Sequence, residues 1–134
     1  MKKIKNTTYV LLMTLIIFNI FYKDSAEADP KKSYESYLSG KAVFIDVREF
    51  DELKDGMIKG ALWYPLSKIE ADKNLELAKI RENSKNKEIY FYCRSGNRAG
   101  KVQNYLENIG IKSINMGGFS NLVKEGLPTQ PGPK

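Results

Sequence analysis

Three compact apolar runs stand out along the chain, Ala42–Val47 (AVFIDV), Ala61–Leu66 (ALWYPL) and Ile89–Cys93 (IYFYC), with a more polar fourth at Ile111–Met116. Short runs without polar alternation are the habit of strands buried on both faces, as in parallel sheets. Pro65 confines the pairing of the second run near its end. The stretches between have helical spacing. Pro30 followed by Lys31–Leu38 predicts a helix with Tyr34, Tyr37 and Leu38 on one face and Gly40 closing it. Glu49–Leu53 predicts a short helix ended around Asp55-Gly56, and Ile69–Ile80 one helix after a polar turn, followed by a polar loop at Ser84–Lys87. Ala99, Val102, Leu106 and Ile109 form a single apolar stripe, with Gly110 placed as the residue that ends the helix. A last short helix is expected over Ser120–Glu125, and from Pro128 the Pro/Gly-rich PTQPGPK is expected to be unstructured. Strands alternating with helices predict an α/β domain with a parallel sheet and right-handed connections.

The first 28 residues have a different pattern. Met1–Lys5 holds three lysines, Tyr9–Tyr22 is an almost wholly apolar run of 14 residues, and Ala26-Glu27-Ala28 is a small-x-small site. Basic start, short apolar centre and A-x-A site in that order predict a secretory signal peptide over 1–28. The run falls short of the ~20 residues that cross a bilayer comfortably. No cysteine follows it, which excludes a lipoprotein anchor. An uncleaved membrane anchor is the competing reading. Either way the domain, 29–127 with the tail 128–134, is expected outside the cytoplasm, free of the membrane once the signal is cleaved. The Lys-, Asn- and Ile-rich opening points to a bacterial source.

Charge and composition narrow the chemistry. The 134 residues carry 22 Lys+Arg and 16 Asp+Glu, net +6. Four lysines (Lys2, Lys3, Lys5, Lys23) and two acids (Asp24, Glu27) lie within the first 28 residues, so the remainder has 18 basic and 14 acidic residues, net +4. This mild excess helps a small anionic substrate, and no basic block argues for nucleic acid. The chain has no histidine and one cysteine. Histidine-dependent catalysis, His-ligated metals, an intramolecular disulfide, a CxxC redox pair and a cysteine zinc cluster are all excluded.

That cysteine, Cys93, ends the strongest predicted strand, and a helix is expected to begin about five residues later. Ligands of open parallel sheets bind beyond the C-terminal strand ends. The junction CRSGNR has a glycine, Gly96, that lets amides approach a ligand, and two cations, Arg94 and Arg98, flanking the thiol. Loop amides and a helix start form an anion-binding concavity. All three features favour thiolate over thiol without a histidine. A buried, inert cysteine is the commonest fate of a lone thiol. The arginines, the loop and the retention of a free thiol in an exported protein argue for function instead.

CRSGNR after an apolar strand resembles the active-site loop of rhodanese-type sulfurtransferases, C-x-x-G-x-R. FIDVREFDELKDGMIKGALWYPL is similar to that family's D-V-R…G-H-I-x-G-A…P pattern, and IKSINMGGF resembles its strand ending in a Gly-Gly turn before an aromatic. The signal peptide and short N-terminal segment also resemble small periplasmic rhodaneses of the phage-shock type. The resemblance implies a three-layer domain with a central parallel sheet of four or five strands flanked by helices. It implies that Cys93 takes a sulfane sulfur from a small anionic donor such as thiosulfate and passes it, through a persulfide, to cyanide or a thiol, without metal or cofactor. Amides of Arg94, Ser95, Gly96, Asn97 and Arg98 would hold the outer sulfur, and Arg94 the donor's sulfonate. Arg98 would brace the loop by pairing with Asp46, with a similar supporting role for Arg48. Met57 stands where the family usually has histidine and Phe119 where tryptophan is common, at the pocket mouth or in the core. Trp63 is assigned to packing or to a partially exposed wall, without a functional role. A monomer is expected.

Two other functions compete. Cysteine phosphatases and arsenate reductases need C-x5-R to surround a tetrahedral oxyanion, but here the spacing is C-x4-R and Ala99 takes the next position. A persulfide carrier or partner-binding module without turnover would have the same fold and loop.

Overall fold

The computed structural model describes residues 9–14, which are helical, and 28–134. Most of the expected signal peptide, 1–28, lies outside the described residues. Among the described residues no helix is long and apolar enough to cross a membrane.

Four parallel strands make the central sheet: β1 (Ala42–Asp46), β3 (Leu62–Trp63), β4 (Glu88–Cys93) and β5 (Ile114–Gly118), in the order β3-β1-β4-β5. Side chains alternate across it. Val43, Ile45, Ile89, Phe91 and Cys93 face a core completed by three helices, α2 (Leu66–Ala71), α3 (Lys73–Asn83) and α4 (Asn97–Glu107). Ala42, Phe44, Tyr90 and Tyr92 face a second core under α1 (Pro30–Leu38) and α5 (Phe119–Lys124). The result is the expected three-layer α/β domain, with four strands in the parallel sheet.

The differences from expectation have local causes. The predicted Ala61–Leu66 strand pairs only over Leu62–Trp63, because Pro65 lacks an N–H and instead caps α2. The helix expected over Ile69–Ile80 is two helices. Asp72 breaks it at φ −148°, and its carboxylate accepts the Leu75 N–H at 3.1 Å to start α3. Leu38 and Ile109, placed on apolar faces, are exposed at helix ends. Gly110 ends α4 as expected, at φ +80°, with the Ile111 N–H bonded back to the Leu106 carbonyl at 2.9 Å.

The tail expected to be unstructured is a correction. Thr129–Gln130 (β6) pairs antiparallel with Met57–Ile58 (β2). The Pro128 carbonyl accepts the Lys59 N–H at 2.9 Å, and the Gln130 side-chain carbonyl accepts the Gly60 N–H at 2.9 Å. Two-residue strands are too short to show as an apolar run. Composition described this segment as a loop because its order comes from its partner.

Candidate active site

The carboxyl ends of all four parallel strands meet at one edge, where β4 delivers Cys93. The chain crosses from Cys93 to α4 through Arg94, Ser95 and Gly96. Gly96 is the α4 N-cap residue, at φ +96° and ψ −16°, a left-handed conformation that glycine adopts without strain. This turn brings the Gly96 N–H back to donate to Cys93 Sγ at 3.0 Å. The first intrahelical bond of α4 runs from Gly100 N–H to the Gly96 carbonyl at 2.9 Å, so the first-turn N–H groups face the loop without an intrahelical partner. Cys93 is fully buried, with its sulfur against the Gly96 N–H.

Strand β5 holds the loop from below. The Asn115 side-chain amide donates to the Gly96 carbonyl at 2.8 Å and its oxygen accepts the Gly117 N–H at 2.9 Å. A side chain on Gly118 would run into the Arg94 carbonyl, and one on Gly96 would come within 3.2 Å of Gly117 Cα. Gly118 is therefore required by how closely loop and strand approach, and Gly117 by its left-handed φ of +80°. Asn115 was not singled out from sequence, where it is an ordinary polar residue in a strand.

Asp46 and Arg48 are brought to the same edge as a buried pair, their side chains 0% and 4% exposed. Arg48 Nη2 donates to Asp46 Oδ2 at 2.7 Å and to the Gly56 carbonyl at 2.7 Å, while Nη1 reaches the Glu52 carbonyl at 3.3 Å. Its guanidinium lies 4.0 Å from the Phe119 ring centroid. Burial alone opposes the Arg48 charge, but the hydrogen bond and charge of Asp46 outweigh it, and its pKa rises.

The expected Arg98–Asp46 pairing is wrong. Asp46 is taken by Arg48, and Arg98 makes a two-pronged bond to Glu52, Nη1 to Oε2 at 2.6 Å and Nη2 to Oε1 at 2.7 Å. Glu52 sits on the 3₁₀ helix Phe50–Asp55, where it also accepts the Glu49 N–H at 2.9 Å in a capping box. The E-x-x-E spacing marks that cap in the sequence, but nothing local links it to an arginine 46 residues away.

The Arg98 hydrogen bond, followed in effect by the Glu49 N–H and the charges of Arg98 and Arg48, holds the Glu52 carboxyl down at about 2, against partial burial. A depressed carboxylate stabilises the fold fully above its ordinary value of 4.5 and loses that contribution as pH falls toward 2. Glu52→Gln is therefore expected to cost about 1–2 kcal/mol at neutral pH, allowing for solvent screening of a partly exposed pair. Urea unfolding of both proteins across this range should show the difference shrinking between pH 4.5 and 2.

Two recesses flank the loop. One, of about 410 Å³, is lined by Arg94 with Arg48, Glu52, Lys54, Phe119 and Ser120, among others. The other, of about 790 Å³, includes Ser95, Gly96, Asn97, Asn115 and Gly117. Arg94, Ser95 and Asn97 are exposed, whereas Gly96 is buried at the sulfur. Phe119 combines both roles foreseen for it, since it lines the recess and packs on Tyr92 at 6.1 Å between ring centroids. Trp63 packs near Phe50 and donates its ring N–H to the Arg48 carbonyl at 2.9 Å. Met57 is buried.

A cysteine at the end of a parallel strand, cradled by a short glycine loop leading into a helix, defines an α/β protein with a buried thiol at its strand–helix junction. The family profile described as "Rhodanese-like domain" matches residues 30–125, and the chain belongs to that family. It is 36% identical over 96 residues to the Bacillus subtilis protein named "Putative sulfurtransferase YtwF", covering 72% of this chain and 77% of that one. It is 38% identical over 78 residues to a Schizosaccharomyces pombe protein named "Putative thiosulfate sulfurtransferase, mitochondrial", covering 54% of this chain and only 55% of the relative. The crystal structure of a rhodanese-like domain protein from Staphylococcus aureus is similar at TM-score 0.57 and 30% identity, over 75% of this chain and 94% of that one.

Proposed function

We propose that the protein is a sulfurtransferase that moves a sulfane sulfur from thiosulfate, or a similar small anionic donor, to cyanide or a thiol. The observation that carries this reading is the bond from the Gly96 N–H to Cys93 Sγ inside a C-x4-R loop at a helix start. The Gly96 N–H and the start of α4 give that sulfur a cradle of backbone donors in a site without a histidine. The thiolate attacks the outer sulfur of thiosulfate. A Cys93 S–S bond forms, the donor's S–S bond breaks, and sulfite leaves with the electron pair. Cyanide then attacks the outer persulfide sulfur, thiocyanate departs, and the thiolate returns. No net oxidation or proton transfer is required, in keeping with a site that has no histidine. Arg94, exposed in the smaller recess, is the cation for the donor's sulfonate. The loop amides stabilise the outer sulfur as charge develops on it.

Covalent transfer in two halves requires ping-pong kinetics. Thiocyanate formation, measured while thiosulfate and cyanide are varied together, should give parallel double-reciprocal lines. Lines that intersect would contradict a free persulfide enzyme, and negligible turnover at saturating donor would sink the enzyme reading. We further infer export, as for the periplasmic members it resembles, because the basic start, apolar run and Ala26-Glu27-Ala28 follow in signal order. Asp29 at the N-terminus of protein recovered from its source is the expected result; an intact Met1 would favour the uncleaved anchor.

A further inference from the structure

The 3₁₀ helix Phe50–Asp55 carries much of the support for the Cys93 loop, yet it has six residues and little intrinsic stability. Glu52 holds Arg98, and the Glu52 and Gly56 carbonyls hold Arg48. Its position must therefore be fixed by what packs on it. The C-terminal segment does so at two points just beyond Glu52, Leu53 and Gly56. At Gly132 the chain lies so close to Leu53 that an added Cβ would be 2.6 Å from the Leu53 carbonyl and 2.8 Å from its Cβ. At Gly56, φ +93°, an added Cβ would be 3.0 Å from the Gln130 carbonyl. The segment is anchored in turn by β6 pairing with β2, by Lys59 N–H to the Pro128 carbonyl, and by Gly60 N–H to the Gln130 side chain.

We propose that residues 128–132 are a positioning strap for the active-site loop, in which Gln130 and Gly132 act through Leu53 and Gly56 on Glu52 and hence on Arg98 and Cys93. None of these strap residues lines the recess beside Arg94, so none is a catalytic residue. The proposal rests on the reading of Cys93 as the reacting thiol, but it can be read from thiol reactivity even without turnover.

The test uses full-length Gln130→Ala, Gly132→Val and Gln130→Glu, each alone and combined with Glu52→Gln, at a temperature well below every unfolding midpoint. Iodoacetamide alkylation of Cys93 at fixed pH and thiocyanate kinetics are the two readouts. Gln130→Ala and Gly132→Val are expected to change the alkylation rate by about threefold or more and to lower kcat by about three- to tenfold, with the thiosulfate KM changed less than about twofold. Gln130→Glu keeps an acceptor for the Gly60 N–H and should restore wild-type values. In the Glu52→Gln background the strap substitutions should add little, because both act on the same contact. Alkylation and kcat equal to wild type, with only a lowered midpoint of unfolding, would overturn the proposal, as would full additivity with Glu52→Gln. Altered alkylation in a protein that never forms thiocyanate would support the strap while contradicting the sulfurtransferase reading.

Discussion

Cys93→Ser is expected to leave the domain folded and to lower thiocyanate formation by at least about 10³-fold. Serine fits the buried strand end, and its hydroxyl can still accept the Gly96 N–H that donates to Sγ at 3.0 Å. What it loses is the nucleophile. A hydroxyl needs an adjacent base to become reactive, and the chain has no histidine to supply one. Sulfur is also intrinsically the stronger nucleophile of the two. Thermal unfolding should place the midpoint within a few degrees of the parent. Turnover within tenfold of the parent would mean that the reaction does not pass through Cys93.

Asp46→Ala is expected to have the largest effect on stability, about 3–5 kcal/mol, measured by urea unfolding at neutral pH. Removing the carboxylate leaves the Arg48 guanidinium buried, with the Gly56 and Glu52 carbonyls and the Phe119 ring as its remaining partners. These satisfy donors but do not balance the charge. Domains of ordinary stability have about 5–15 kcal/mol in hand, so the variant should be partly unfolded at modest temperature. Asp46→Ala combined with Arg48→Met should be more stable than Asp46→Ala alone, because the uncompensated charge is gone. A single-variant loss below about 1 kcal/mol would mean that Arg48 moves out to water and that the pair does not fix the strand end.

The two central strands and the cysteine loop were legible because their signals are local and strong. IYFYC and AVFIDV are buried on both faces, and the change from a β run to helical spacing at CRSGNR marks the strand–helix junction directly. What sequence reading missed depends on pairings distant in the chain. Arg98 and Glu52 meet only in the folded chain, through a side-chain bond between α4 and the 3₁₀ helix, and Asp46 is held by an arginine two residues on. The Met57–Ile58 and Thr129–Gln130 strands have no periodicity of their own, so only their partners define them. Asn115 behaves likewise, since its value lies in reaching the Gly96 carbonyl across a bulged strand pair.

The most direct test of sulfur transfer through Cys93 is the intact mass of the protein after thiosulfate, followed by peptide mapping. A gain of about 32 Da, one sulfur atom, on the Cys93 peptide and its loss on adding cyanide with stoichiometric thiocyanate is the expected result. Loss to cyanide separates a persulfide from a sulfinic acid of nearly the same mass. An adduct that cyanide never discharges as thiocyanate would indicate a carrier without turnover, and a Cys93 peptide unchanged by excess thiosulfate would contradict the proposed chemistry itself.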